Sequence, residues 1–187
     1  MNCGEAAMAD GVLLDTSFLI TFATPTRKHH AVAVQYFRHF VAEGMPMFVS
    51  TIAASEFHLR QSVTDLPLDA MIVLPFNLAD AMRAAELDFT LYKGTAGVAR
   101  DALKDDFKLL GQVKANDIAF VITEDDRSLY RFCRELRGKH QLTAHAIKLE
   151  DGFDKSHFDP AGQHDFEAKL EEPPASTYGV PESVRAE

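Results

Sequence analysis

Apolar side chains recur along this chain in two alternating rhythms, short unbroken runs and longer stretches with a helical period. Residues 11–14, 47–50, 71–75 and 118–122 are runs of the first kind, each of a length suited to a buried strand. Residues 17–23 follow the first run, and across 29–42 the side chains Val32, Tyr36, Phe37, Phe40 and Val41 recur at helical spacing. Residues 52–61, 105–115 and 128–136 also read as helices, and Asn77 caps another that runs through Ala81, Ala84, Ala85, Leu87 and Leu91. Residues 142–148 alternate weakly, as an edge strand does. Strands alternating with helices predict an α/β fold with a mostly parallel central sheet, because parallel neighbours need a crossover and a helix supplies it.

The patterning fades after Glu150 into Asp, His, Pro and Glu, with EEPPAS and GVPE adding breakers. The expected organisation is a leader over 1–10, one domain over 11–149, and an acidic extension over 150–187 that is mobile beyond about Phe166. Within that extension Phe153 and Phe158 either fold back on the body or dock on a partner. A chain of 187 residues with 47% hydrophobic side chains and 14 Phe supports one core rather than two.

The net charge of −9 would argue against a polyanionic partner if it were evenly spread. It is not. The extension holds ten acids against three bases, a net −7, whereas the body to Leu149 holds 16 bases and 18 acids, a net −2. Nucleic acid is therefore not excluded. The two cysteines, Cys3 and Cys133, have no paired spacing and read as free thiols of a reducing cytosol. The first ten residues carry Glu5 and Asp10 but no base, unlike a signal peptide, and no segment is long and apolar enough to span a bilayer.

Four acids stand where a strand ends or a helix begins: Asp15 in VLLDTS, Glu56 in STIAASEF, Asp106 in KDDFKLL and Asp125 in VITEDD. In open α/β sheets ligands bind outside the carboxyl ends of the strands. Carboxylates gathered there repel one another unless a cation joins them. Acids without His or Cys favour Mg²⁺ or Mn²⁺ over zinc, and such an ion keeps waters of which one becomes acidic enough to attack a phosphodiester. Each acid taken singly also has a plain structural reading: Asp15 as a helix cap, Glu56 as an exposed helical acid, Asp106 as an acid in a first helical turn, residues 123–126 as a turn.

Together, LLDTS, STIAASEF, KDDFKLLGQ and VITEDDRSL resemble the PIN domain family of metal-dependent ribonucleases, in its VapC-like form, over roughly residues 11–149. The resemblance implies a PIN-like α/β/α sandwich and a Mg²⁺- or Mn²⁺-dependent endoribonuclease. It implies Asp15, Glu56, Asp106 and Asp125 as metal ligands, with Ser17 and Thr123 supporting them. Asp105 competes with Asp106, which is preferred because it places Leu109 inward and Gly111 where a small residue is usual. Asp126 competes with Asp125, which the family's Thr-x-Asp pattern selects, leaving Asp126 as a capping residue or secondary ligand. The same resemblance implies a toxin masked by a small antitoxin protein, and a homodimer through the early helices. The other readings are a PIN-fold module that binds RNA or protein without hydrolysis, and a nuclease directed at DNA or at RNA maturation.

A nuclease must also hold the phosphate backbone. Arg127, Arg131 and Arg134 fall at helical spacing past Asp125 and form a stripe able to guide RNA, or a solvated face paired with acids such as Glu135. Lys104 and Lys108 flank Asp106, and either touch phosphate or temper the acids' repulsion. The histidine pairs lack Cys partners or an HExxH frame and read as surface residues, and Gly94 with Gly97 reads as a flexible loop.

Overall fold

The computed structural model describes residues 11–88, 90 and 100–159. In chain order the elements are β1 (Val12–Leu14), α1 (Thr16–Ala23), α2 (His30–Glu43), β2 (Met47–Ser50), α3 (Thr51–His58), β3 (Ile72–Leu74), α4 (Leu78–Ala85), α5 (Arg100–Ala115), β4 (Phe120–Thr123), α6 (Leu129–Gly138) and β5 (His145–Lys148). The strands form one five-stranded sheet in the order β3-β2-β1-β4-β5, and every neighbouring pair is parallel. The α/β class and the parallel sheet are as the sequence predicts. Among the described residues no helix is long and apolar enough to cross a membrane.

Burial explains the strand signals. Val12, Leu13, Leu14, Val121 and Ile122 are all 0% exposed, so the central strands β1 and β4 read as unbroken apolar runs. The edge strand β3 leaves Ile72 and Val73 exposed, and β5 pairs only with β4, in keeping with its weak alternation. Right-handed crossovers place α1, α2 and α3 on one face of the sheet and α4, α5 and α6 on the other. Accordingly α1 packs on α2 and α3, and α5 on α4 and α6. Phe107 and Phe132, with ring centroids 5.2 Å apart, join α5 to α6.

Three helix boundaries differ from expectation, the first being that α4 ends at Ala85, short of Leu87. The acid pair at 105–106 suggests a helix start, yet α5 begins at Arg100 and carries those acids into its second turn. Asp106 is therefore not placed to offset a helix N-terminus, which removes its plain structural reading. The helix α3 ends at His58, three residues before the expected stop, and the chain tightens just past it as the Arg60 N–H reaches the Phe57 carbonyl at 3.0 Å. Gly111 lets α4 and α5 approach closely: a Cβ there would lie 2.5 Å from Ala84 Cβ.

Contacts divide the chain after Phe153. In the first unit the Tyr36 hydroxyl donates to the Gly152 carbonyl at 2.9 Å, and its ring meets that of Phe153 edge-on at 5.0 Å. Phe153 thus folds back on α2. In the second unit Lys155–Phe158 make one 3-10 turn, capped where Asp154 accepts the Ser156 N–H at 2.8 Å. The leader, Cys3, Leu91, the glycines at 94 and 97, and the tail from residue 160 lie outside the described residues.

Candidate active site

Because all five strands run parallel, their carboxyl ends share one edge, and the crossovers leave β1 and β4 toward opposite faces. That boundary is the switch point at which α/β sheets open a crevice. Asp15 and Thr123 flank it, on strands registered Leu14 to Ile122, and the Asp15 N–H donates to the Ile122 carbonyl at 3.2 Å.

Asp15 is 5% exposed and caps α1. Its Oδ2 accepts from Ser17 Oγ at 2.6 Å, Ser17 N–H at 3.2 Å and Thr123 Oγ1 at 2.8 Å. The two hydroxyl oxygens lie 3.0 Å apart. Ser17 Oγ also accepts the Glu124 N–H at 2.8 Å and Thr123 Oγ1 the Asp125 N–H at 2.9 Å, so the pair ties the chain after β4 to the start of α1. Burial pushes the Asp15 pKa up, and these hydrogen bonds pull it back. Ser17 and Thr123, the two hydroxyl residues named in the sequence reading, both donate to Asp15.

Glu56 faces Asp15 from α3. Thr16 Oγ1 donates to its Oε2 at 2.5 Å. Burial raises its pKa most, the Thr16 bond opposes this, and the charges of Asp15 and Asp105 add to the rise. Asp106 completes the group from α5. Burial first, opposed by a Ser128 hydrogen bond and reinforced by the charges of Asp15, Asp125 and Glu56, leaves its pKa pushed up to about 8. Its Oδ2 is buried with no hydrogen-bond partner.

Asp125 closes the turn after β4. Oδ1 accepts the N–H of Arg127 at 2.8 Å and of Ser128 at 3.2 Å, and Oδ2 accepts Ser128 Oγ at 2.7 Å. The plain turn reading therefore holds for Asp125 alongside its place in the acidic group. Asp126 is exposed, and the bonds of this turn go to Asp125 instead. Asp105 is engaged by Lys108 Nζ at 2.7 Å, which draws that lysine to the neighbouring acid.

The basic stripe is partly self-paired. Arg131 lies over the Phe132 ring at 4.9 Å with its Nε 3.4 Å from Glu135 Oε1, Arg134 lies over Tyr130 at 5.5 Å, and Arg127 is exposed. Among the described histidines, His30 Nδ1 lies 3.1 Å from the Thr21 carbonyl oxygen and His58 Nδ1 accepts the Val63 N–H, which are structural contacts. Cys133 is buried and free.

Sequence reasoning missed Thr16, Glu124, Arg27 and Ser128. Thr16 and Ser128 carry a readable signal, a hydroxyl beside or near a site acid. Arg27 and Glu124 lie 97 residues apart, and nothing local announces that they meet.

Among the described residues no three Asp, Glu, His or Cys side chains stand as a ready metal cage. The donor set nevertheless suits a hard divalent cation: oxygen ligands, mutual repulsion that a cation would relieve, and a buried carboxylate oxygen at Asp106 without a partner.

No family model and no curated protein matches the chain. Among solved structures, the chain is similar to VapBC2 from Rickettsia felis bound to a promoter DNA fragment, at 14% identity and a TM-score of 0.49, over 73% of this chain and 97% of that one. It is similar to FitAcB from Neisseria gonorrhoeae at 16% identity and a TM-score of 0.49, over 74% and 98%. A third similar structure is Mycobacterium tuberculosis VapC20, a Sarcin-Ricin loop cleaving toxin, at 15% identity and a TM-score of 0.45, over 62% and 91%.

Proposed function

We propose that this chain is an endoribonuclease dependent on Mg²⁺ or Mn²⁺, with Asp15, Glu56, Asp106 and Asp125 holding the cation. The observation that carries the reading is the buried, partnerless Oδ2 of Asp106, raised in pKa partly by the charges of the other three acids. A bound divalent cation would supply Lewis-acid stabilisation of a phosphodiester and an acidified water. The chain's own part is orientation. Ser17 and Thr123 fix Asp15, Thr16 fixes Glu56, and the Asp125 turn is held by the N–H groups of Arg127 and Ser128. Each bond restricts a rotamer that would otherwise have to be ordered at binding.

The test is cleavage of structured and unstructured RNA, and of single-stranded DNA, in Mn²⁺ by the full chain and by Asp15→Asn. Loss of RNA cleavage in the variant is the expected result; equal cleavage by both proteins refutes the assignment, and cleavage of DNA alone moves the substrate class. The motif resemblance extends the proposal to a toxin whose rim a small antitoxin covers. A small DNA-binding protein encoded beside this reading frame is the expected observation, and its absence favours RNA maturation.

A further inference from the structure

An acidic rim needs a cation of the protein's own to receive a phosphate, and the bases of α6 are partly spent on Glu135 and on aromatic rings. A different base stands on the other side of the β1–β4 boundary. The Arg27 guanidinium, on the turn between α1 and α2, bonds Glu124 Oε2 through Nη2. Glu124 Oε2 also accepts Thr21 Oγ1 at 2.6 Å. The Glu124 main chain is in turn bonded to Ser17 Oγ, which donates to Asp15. Arg27 is thereby tied to the Asp15 hydroxyl pair through one residue. With Thr21 Oγ1 and the guanidinium both on its Oε2, Glu124 is a fixed anchor for Arg27.

Resting on the nuclease reading above, we infer that Arg27, positioned by Glu124, is the residue that receives a backbone phosphate of the RNA strand beside the carboxylate rim. A guanidinium has five N–H donors in a planar fork, the recorded bond to Glu124 uses Nη2, and the side chain is 38% exposed. One part of the fork is thus anchored while the side chain keeps a face to solvent. Arg127, immediately past the Asp125 turn and exposed, is a second base available to the same strand. Glu124 acts through Arg27 and is a positioning residue.

The experiment is a salt titration of binding to a fluorescein-labelled oligouridylate. It uses the full chain with Asp106→Asn to suppress cleavage, comparing Arg27 with Arg27→Ala, Arg27→Lys and Glu124→Gln. Arg27→Ala is expected to weaken binding roughly tenfold and to lower the slope of log K against log salt by about 0.7, one single-strand phosphate contact. Arg27→Lys is expected to restore the slope, and Glu124→Gln to weaken binding while leaving the slope unchanged. In Mn²⁺ assays with Asp106 intact, Arg27→Ala is expected to raise KM with kcat nearly unchanged. An unchanged slope in a folded Arg27→Ala protein overturns the inference while wild-type cleavage keeps the nuclease reading standing. A wild-type chain that neither binds nor cuts RNA overturns both.

Discussion

Asp80 and Asp106 are both helical carboxylates drawn into the protein on the same side of the sheet, and they end in opposite conditions. Asp80, 1% exposed at the start of α4, is complete: Oδ2 accepts the Asn77 N–H at 2.8 Å, Oδ1 accepts Asn116 Nδ2 at 3.3 Å, and Asn77 returns a bond to the Asp80 N–H at 3.1 Å. Asp106 has acids around it where Asp80 has amides, and one of its oxygens is buried with no partner. A carboxylate buried among N–H donors is finished structure, because its charge is answered within the fold. One buried among carboxylates must hold a proton or have its charge met from outside the fold, which on the reading proposed above a divalent cation does.

The largest effect that sharpens this contrast is on catalysis. Asp106→Asn is expected to lower Mn²⁺-dependent RNA cleavage by about a hundredfold or more, read as initial rates. Asp80→Ala should instead leave the rate per folded molecule within about twofold and cost about 1–2 kcal/mol in urea unfolding, through the lost Asp80 half of the capping box and one unpaired N–H of Asn116, whose amide keeps its bond to the Gln112 carbonyl. A folded Asp80→Ala protein that had lost cleavage would break the contrast. Next in size, Gly111→Ala is expected to cost about 1–3 kcal/mol, since its Cβ would meet Ala84 backbone atoms at 2.8 Å and α4 and α5 would have to separate. The remaining effect is on pH dependence without metal. The unfolded carboxyl of Asp106 ionises near 4 and the folded one near 8, so unfolding releases a proton between those values and stability falls as pH rises through that window. Chemical denaturation in EDTA at pH 5 and pH 8 is expected to show a smaller fall for Asp106→Asn than for the wild type.

The sheet was readable because burial on both faces leaves β1 and β4 as plain apolar runs, and the Asn77 cap was readable because capping is local. Asp15 and Asp125 stand just past the ends of β1 and β4, as their sequence places suggest, whereas Glu56 and Asp106 lie inside α3 and α5. The start of α5 was not readable, because the charged residues of its first turns look like a loop until Phe107 and Leu110 commit the face to the core. Nor were the hydroxyl network and the pairing of Arg27 with Glu124, which depend on the parallel register of β1 with β4 bringing distant segments together.

The most direct test is thermal unfolding of the full chain at pH 7 with increasing Mn²⁺, beside Asp106→Asn. If the four carboxylates jointly grip a divalent ion, the wild type gains about 2.7 kcal/mol at a metal concentration a hundred times its Kd, while the variant gains little. A wild-type melting temperature indifferent to Mn²⁺, or an equal rise in both proteins, would contradict it.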